Sequence, residues 1–183
     1  SDVVINLCGI LFENRKQKFN TVHAELPESI AKLFKISDLK KFIHVSAIGA
    51  NKDSKSKYQQ SKFLGEEKAI NNFDKTVIIR PSVVIGNEDN FTNLFAKLSL
   101  SPIIPVVNTS YKFEPIFVND VAKAILKAIE TKNNEGKIYE LGGGRVISFG
   151  DMIKLILKLI RKKRIVADVP MTLAKIQGSL LSL

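Results

Sequence analysis

In the stretch "SKSKYQQSKFLGEEKA", Tyr58 and Lys62 stand four residues apart. On a helix, positions i and i+4 share a face, so a phenol and an ammonium would project together. A phenol titrates ordinarily at about 10 and acts as an acid or base near neutrality only when its anion is stabilised, which a neighbouring ammonium does. The ammonium could equally hold a ribose hydroxyl. Ser46, in "FIHVSAIGA", ends an apolar run upstream and offers a hydroxyl to a substrate carbonyl. Tyr-x-x-x-Lys by itself is frequent in a lysine-rich chain, and an exposed helical pair without chemistry is the plain alternative.

The pattern around these residues alternates. An apolar strand over about residues 3–8 ends at Cys8-Gly9, and a helix over about 19–35 carries Leu26, Ile30, Leu33 and Phe34 at helical spacing, with Pro27 marking its first turn. A second strand spans about 41–46, a helix 58–72, and "KTVIIRPSVVIG" reads as a third strand broken by Pro81. These strands are continuous apolar runs, as parallel strands covered on both faces require. The fold class expected is α/β, a Rossmann-like doubly wound parallel sheet. In such sheets ligands bind outside the carboxyl ends of the strands, which directs attention to Cys8-Gly9, Ser46-Ala47 and Arg80-Pro81-Ser82-Val83.

The second half is less regular. "NFTNLFAKLSLSPIIPVV" reads as a short helix and a proline-rich connection, "EPIFVNDVAKAILKAIE" as a short strand and a helix capped near Asn119 or Asp120, and "KIYELGGG" as a strand. "SFGDMIKLILKLI" is an amphipathic helix with Ser148 as its N-cap, and an apolar helix is expected after Pro170. The glycines of "LGGGR" lack the spacing of a dinucleotide turn and read as a flexible connection.

Composition narrows the function. The 183 residues are 45% hydrophobic and 25% charged, with 28 lysines and arginines against 18 carboxylates for a net charge of +10. The lysines are scattered, which describes a solvated surface better than a nucleic-acid face, and no nucleic acid is expected as a partner. The one compact basic run, Arg161-Lys162-Lys163-Arg164, follows an apolar helix; it suits peripheral contact with anionic membrane or an acidic partner, or is a helix C-terminal charge cluster. Cys8 is the only cysteine, so there is no internal disulfide, and a reducing compartment fits. His23 and His44 have no close acidic or thiol neighbours in sequence, and no metal site is expected. The chain opens directly on a strand pattern and reads as a fragment.

In order and spacing, "INLCG", "FIHVSAIGA", "YQQSKFLGEE", "VIIRPSVVIG", "FVNDVAKAI" and "YELGGG" resemble the extended and atypical short-chain dehydrogenase/reductase superfamily, also described as NAD-dependent epimerase/dehydratase. The resemblance covers nearly the whole chain and is nearest to the branch of the accessory subunit of respiratory complex I with this fold and its alphaproteobacterial relatives. It implies a dinucleotide, NADP or NAD, bound largely for structural reasons, with respiratory complex I subunits as partners and a cytoplasmic location, peripheral at the inner membrane. It implies that Tyr58 and Lys62 contact the nicotinamide ribose, that Ser46 and Ala47 lie beside the nicotinamide, that Pro81, Ser82 and Val83 approach its carboxamide through backbone atoms, and that Cys8 and Gly9 border the cofactor. It also implies a division into 1–88, the C-terminal half of the dinucleotide-binding domain, and 89–183, the remaining elements with a partial substrate lobe, packed as one unit.

Two departures bear on function. The glycine-rich turn that holds the pyrophosphate at a helix N-terminus is not in this sequence. His23 stands where many extended members carry an Asn supporting the catalytic tyrosine. Three readings follow: a complex I-associated protein with a structural cofactor; an active NAD(P)-dependent reductase, epimerase or dehydratase with Ser46, Tyr58 and Lys62 as catalytic residues and Lys62 lowering the pKa of Tyr58; and a basic scaffold binding RNA or anionic membrane.

Overall fold

A computed structural model describes residues 2–35 and 38–169. The expected helix after Pro170 lies outside the described residues. In chain order the elements are β1 (Val3–Asn6), a π-helical segment (Asn20–Glu25), α1 (Leu26–Lys35), β2 (Lys41–Val45), α2 (Lys57–Asn72) and β3 (Thr76–Pro81). There follow β4 (Val84–Ile85), α3 (Asn90–Leu98), β5 (Ile103–Val107), β6 (Lys112–Phe113), β7 (Ile116–Phe117) and α4 (Val118–Glu130). The last are β8 (Ile138–Leu141), β9 (Ile147–Ser148), α5 (Phe149–Leu159) and β10 (Ile165–Val169). They form two compact units, one of Ser1–Ser82 with Val118–Gly142, the other of Val83–Phe117 with Gly143–Leu183.

The first unit is built on a four-stranded sheet in the order β1-β2-β3-β8, every pairing parallel. Period-two alternation decides which side chains meet which helices. Phe42 packs with Ala31, Ala69 and Phe73 of the α1/α2 layer, so His44 and Ser46, two and four residues on, leave the strand toward the same layer. Lys41, of the opposite parity, sends its buried ammonium to the carbonyls of Ala128 (3.1 Å) and Thr131 (2.6 Å) and to Asn134 Oδ1 (2.7 Å), closing the C-terminal end of α4. The register Phe42↔Thr76 carries the parity to β3. Thr76 Oγ1 donates to carbonyls of Ala69 and Phe73, and Arg80 reaches Glu66 of α2.

Some expectations are corrected. β1 stops at Asn6 rather than residue 8, because the Asn6 Oδ1 accepts the Cys8 N–H at 3.0 Å and turns the chain out of the sheet. The helix expected over 19–35 is two hydrogen-bonding patterns end to end, and Pro27 does lie in the first turn of the α-helical part. In the second unit the proline-rich connection is a strand. Ile104 and Val106 of β5 alternate into a core with Phe95, Met152, Ile153, Ile156 and Leu157, while Pro105 is exposed in a sheet whose only other strand among the described residues is β10, a placement that tolerates the missing N–H. α4 begins at Val118, directly after β7, so Asn119 and Asp120 lie inside its first turn. Ser148 caps α5 as expected, accepting the Asp151 N–H at 3.1 Å.

Candidate functional site

The carboxyl ends of β1 and β2 and the N-terminal half of α2 bring the candidate residues together. The serine-rich loop before α2 folds onto its first turn: Ser56 N–H donates to Ser54 Oγ at 3.0 Å, and Gln60 Nε2 donates to the Ser54 carbonyl at 2.6 Å. From there Ser61, Lys62, Gly65, Glu66 and Ala69 form the buried stripe. Tyr58 belongs to that stripe by the same spacing and is half-buried. Lys62 is 4% exposed, and its Nζ donates to the Val45 carbonyl at 3.0 Å, at the end of β2. One turn further, Glu66, 2% exposed, receives Arg80 Nε at 3.0 Å and Nη2 at 2.7 Å. Arg80 also reaches Glu140 at 3.1 Å and is thus a structural cation.

A feature hidden from sequence periodicity completes the site. The π-helical segment places His23, fully buried, against Tyr58, with ring centroids 5.3 Å apart and planes perpendicular. Phe19 stacks on His23 at 5.3 Å and meets Tyr58 edge-on at 5.8 Å. This approach depends on Gly65, where a β-carbon would lie 1.8 Å from the His23 carbonyl oxygen. Single π turns recur at functional sites. A glycine in mid-helix, Gly65, was the sequence signal of this close packing.

The hydrogen bonds fix the His23 tautomer. Ile10 N–H donates to Nε2 at 3.0 Å, so Nδ1 carries the proton and donates to Ser61 Oγ at 2.9 Å. Ser61 in turn donates to the Tyr58 carbonyl at 2.8 Å. His23 therefore ties the segment after β1 to the turn that carries Tyr58, with no lone pair left for proton transfer. Burial first, and then Lys62, draws its pKa down to about 4. Burial likewise lowers Lys62 to about 8, opposed by Glu66 and Cys8. Tyr58 is shifted upward by burial, the reverse of the lowering by Lys62 that the i,i+4 pairing suggested.

Cys8 is exposed, and a β-carbon at Gly9 would lie 3.8 Å from both Lys62 Nζ and His23 Nε2, so these groups adjoin the site. Ser46 is 5% exposed, with its N–H on the Ile79 carbonyl at 2.7 Å; Ala47 follows it, half-buried. Pro81 accepts the Ile48 N–H at 3.1 Å, and Ser82 donates to the Leu141 carbonyl at 2.8 Å. Val83 begins the second unit, where its carbonyl accepts the Ile116 N–H at 3.0 Å. His44 is a packed histidine, as its place in a central strand suggests. In the basic run, Arg161, Lys162 and Lys163 are exposed, while Arg164 Nε donates to the Ser99 carbonyl at 2.7 Å. The "LGGGR" turn has a packing role: a β-carbon at Gly143 would lie 2.0 Å from the Pro115 carbonyl oxygen. Among the described residues no helix is long and apolar enough to cross a membrane.

The model of the RmlD substrate binding domain family matches residues 49–177. The chain belongs to this family. The RmlD match includes Tyr58, Lys62, Arg80 and α5, whereas Cys8, His23, His44 and Ser46 precede it. Curated relatives include NADH dehydrogenase [ubiquinone] 1 alpha subcomplex subunit 9, mitochondrial, from Dictyostelium discoideum, 34% identical over 86% of this chain and 44% of that one. The protein of the same name from Mus musculus is 33% identical over 100% of this chain and 49% of that one. The NADH-ubiquinone oxidoreductase 40 kDa subunit of Neurospora crassa is 30% identical over 96% and 46%. The chain thus spans about half the length of these eukaryotic relatives. Among solved structures, dTDP-4-dehydrorhamnose reductase from Bacillus anthracis in complex with NADP has a TM-score of 0.79 at 19% identity, over 93% of this chain and 66% of that one. UDP-glucuronic acid 4-epimerase from Bacillus cereus in complex with NAD has 0.78 at 22%, over 92% and 63%. The RmlD-family chain has the Rossmann-like α/β fold of these reductases and epimerases.

Proposed function

We propose that this chain is part of a complex I-associated accessory subunit that binds NADP or NAD, the cofactor serving stability more than turnover. The observation that carries the reading is the convergence of Ser46, Tyr58, Lys62 and Gly9 at the carboxyl end of a parallel sheet, where such folds bind nucleotides. The residues fit the group: Ser46 Oγ is a buried hydroxyl without a partner, Lys62 is a cation at a strand end, and Gly9 presents backbone without a side chain. Tyr58 and Lys62 would hold the nicotinamide ribose, with Ser46, Ala47, Cys8 and Gly9 beside the nicotinamide and Pro81, Ser82 and Val83 toward its carboxamide. The cofactor, when bound, supplies hydride chemistry. The names of the curated relatives support complex I as the partner, and on this reading the protein sits peripherally at the inner membrane, with Arg161, Lys162 and Lys163 free to meet anionic lipid.

The second reading is an active reductase, epimerase or dehydratase with Tyr58 as acid/base, favoured by the structural neighbours. The upward shift of Tyr58 and the fully committed His23 nitrogens weigh against it. The test uses the full-length protein. Co-purifying dinucleotide, with both cofactor and its thermal stabilisation lost in the Tyr58→Phe/Lys62→Ala variant, is the expected result; a ligand at 100 times its Kd stabilises by about 2.7 kcal/mol. Wild-type protein with no affinity for NADH or NADPH overturns the reading, and steady NAD(P)H consumption abolished by Tyr58→Phe replaces it with the second.

A further inference from the structure

Two buried side-chain atoms of the described residues have no hydrogen-bond partner, His44 Nε2 and Ser46 Oγ. His44 lies in β2 and Ser46 directly follows the strand, and their spacing of two puts them on one face, toward α2. Between them in the chain, the Val45 carbonyl receives Lys62 Nζ at 3.0 Å, which brings the ammonium to the peptide that joins Val45 to Ser46. Lys62 and His23 both act electrostatically on His44.

Neighbouring groups fix what each atom offers. Asn6 Oδ1 accepts the Cys8 N–H, so the Asn6 amide nitrogen is the atom that faces His44 Nδ1 at 3.1 Å. An amide nitrogen only donates, so Nδ1 accepts and the ring proton sits on Nε2. His44 thus presents a buried N–H, Lys62 keeps two ammonium protons beyond the one used at Val45, and Ser46 offers a hydroxyl that both accepts and donates. A buried water typically makes about three hydrogen bonds to otherwise unsatisfied polar groups of this kind. We propose that His44 Nε2–H, Lys62 and Ser46 hold one buried water at the end of β2, and that His44 is through it a positioning residue for the Ser46 hydroxyl.

The site does not depend on the cofactor reading, whereas the consequence of positioning for dinucleotide binding rests on it. His23 and His44 are the two histidines of this sequence, and imidazole 15N NMR of the full-length protein, assigned by replacing each in turn, distinguishes them. The expected spectrum has His44 protonated at Nε2 and His23 at Nδ1, with cross-relaxation from His44 Nε2–H to a long-lived water. A proton on Nδ1 of His44, or an Nε2–H without a water cross-peak, overturns the site. NADPH titration of the full-length protein tests positioning. His44→Leu, which removes the donor, should weaken NADPH binding tenfold or more, and His44→Gln, which restores an N–H, should stay within threefold of wild type, thermal melts confirming that each variant is folded. Equal affinity of His44→Leu and wild type overturns the positioning role. A wild-type protein that binds no NADPH refutes the functional reading while the NMR result still decides the water site.

Discussion

Lowering the pH from 7 to 5 should destabilise this protein through its two histidines. His23 and His44 are both fully buried, and burial together with Lys62 draws their pKa values from 6.5 to about 4 and about 3. Because the folded values lie below the unfolded ones, the unfolded chain binds more protons in this range. Stability is therefore intact well above 6.5 and falls as the pH drops toward the folded values. At pH 5 the ratio of the proton-binding terms of the two states costs about 2 kcal/mol for each histidine, about 4 kcal/mol together, a large part of the roughly 5–15 kcal/mol that holds a typical fold. Lys62, at about 8, is charged in both states throughout the window and adds no slope. Carboxylates with lowered values, such as Glu28, held at about 2 by Lys32 and Lys68, enter mainly below pH 4.5. Urea unfolding at pH 7, 6 and 5 measures the effect, and replacing either histidine with a non-titrating residue should halve the slope. Stability that is flat between pH 7 and 5 refutes the reasoning.

Gly65→Ala puts a β-carbon 1.8 Å from the His23 carbonyl oxygen and should cost about 1–3 kcal/mol or more by overpacking; an unchanged melting temperature would contradict the close approach of the π-helical segment. Arg80→Met leaves the Glu66 carboxylate, 2% exposed, without its two charged hydrogen bonds, and a loss of about 3–5 kcal/mol is expected in denaturant unfolding. Adding Glu66→Met to it should recover much of that loss. Ser148→Ala removes the α5 N-cap and should lower stability by about 1 kcal/mol in the same assay.

Much of the site was legible because its signals are local. Continuous apolar runs announce parallel strands, and the spacing of Tyr58 and Lys62 announces the face of α2 that meets them. Ser148 was readable as a cap because capping needs only the residues of one turn. The misreadings have equally physical causes. Prolines disguised β5, whose alternation of Ile104 and Val106 is only two residues deep. The π-helical segment was invisible because a change of hydrogen-bond register hardly alters side-chain periodicity over six residues.

The sequence by itself determined the class of fold, the order of the elements and the pairing of a phenol with an ammonium on one helix face, since each depends on residues a few positions apart. Only the tertiary structure decided that Arg80 belongs to Glu66, that His23 closes on Tyr58 past Gly65, and that the two histidines carry their protons on opposite nitrogens. It also reversed the sign of the Tyr58 shift, which burial raises, while Lys62 is committed to the Val45 carbonyl. Protonation depends on the solvent excluded and the partner supplied by distant segments, and neither quantity is written in spacing along the chain.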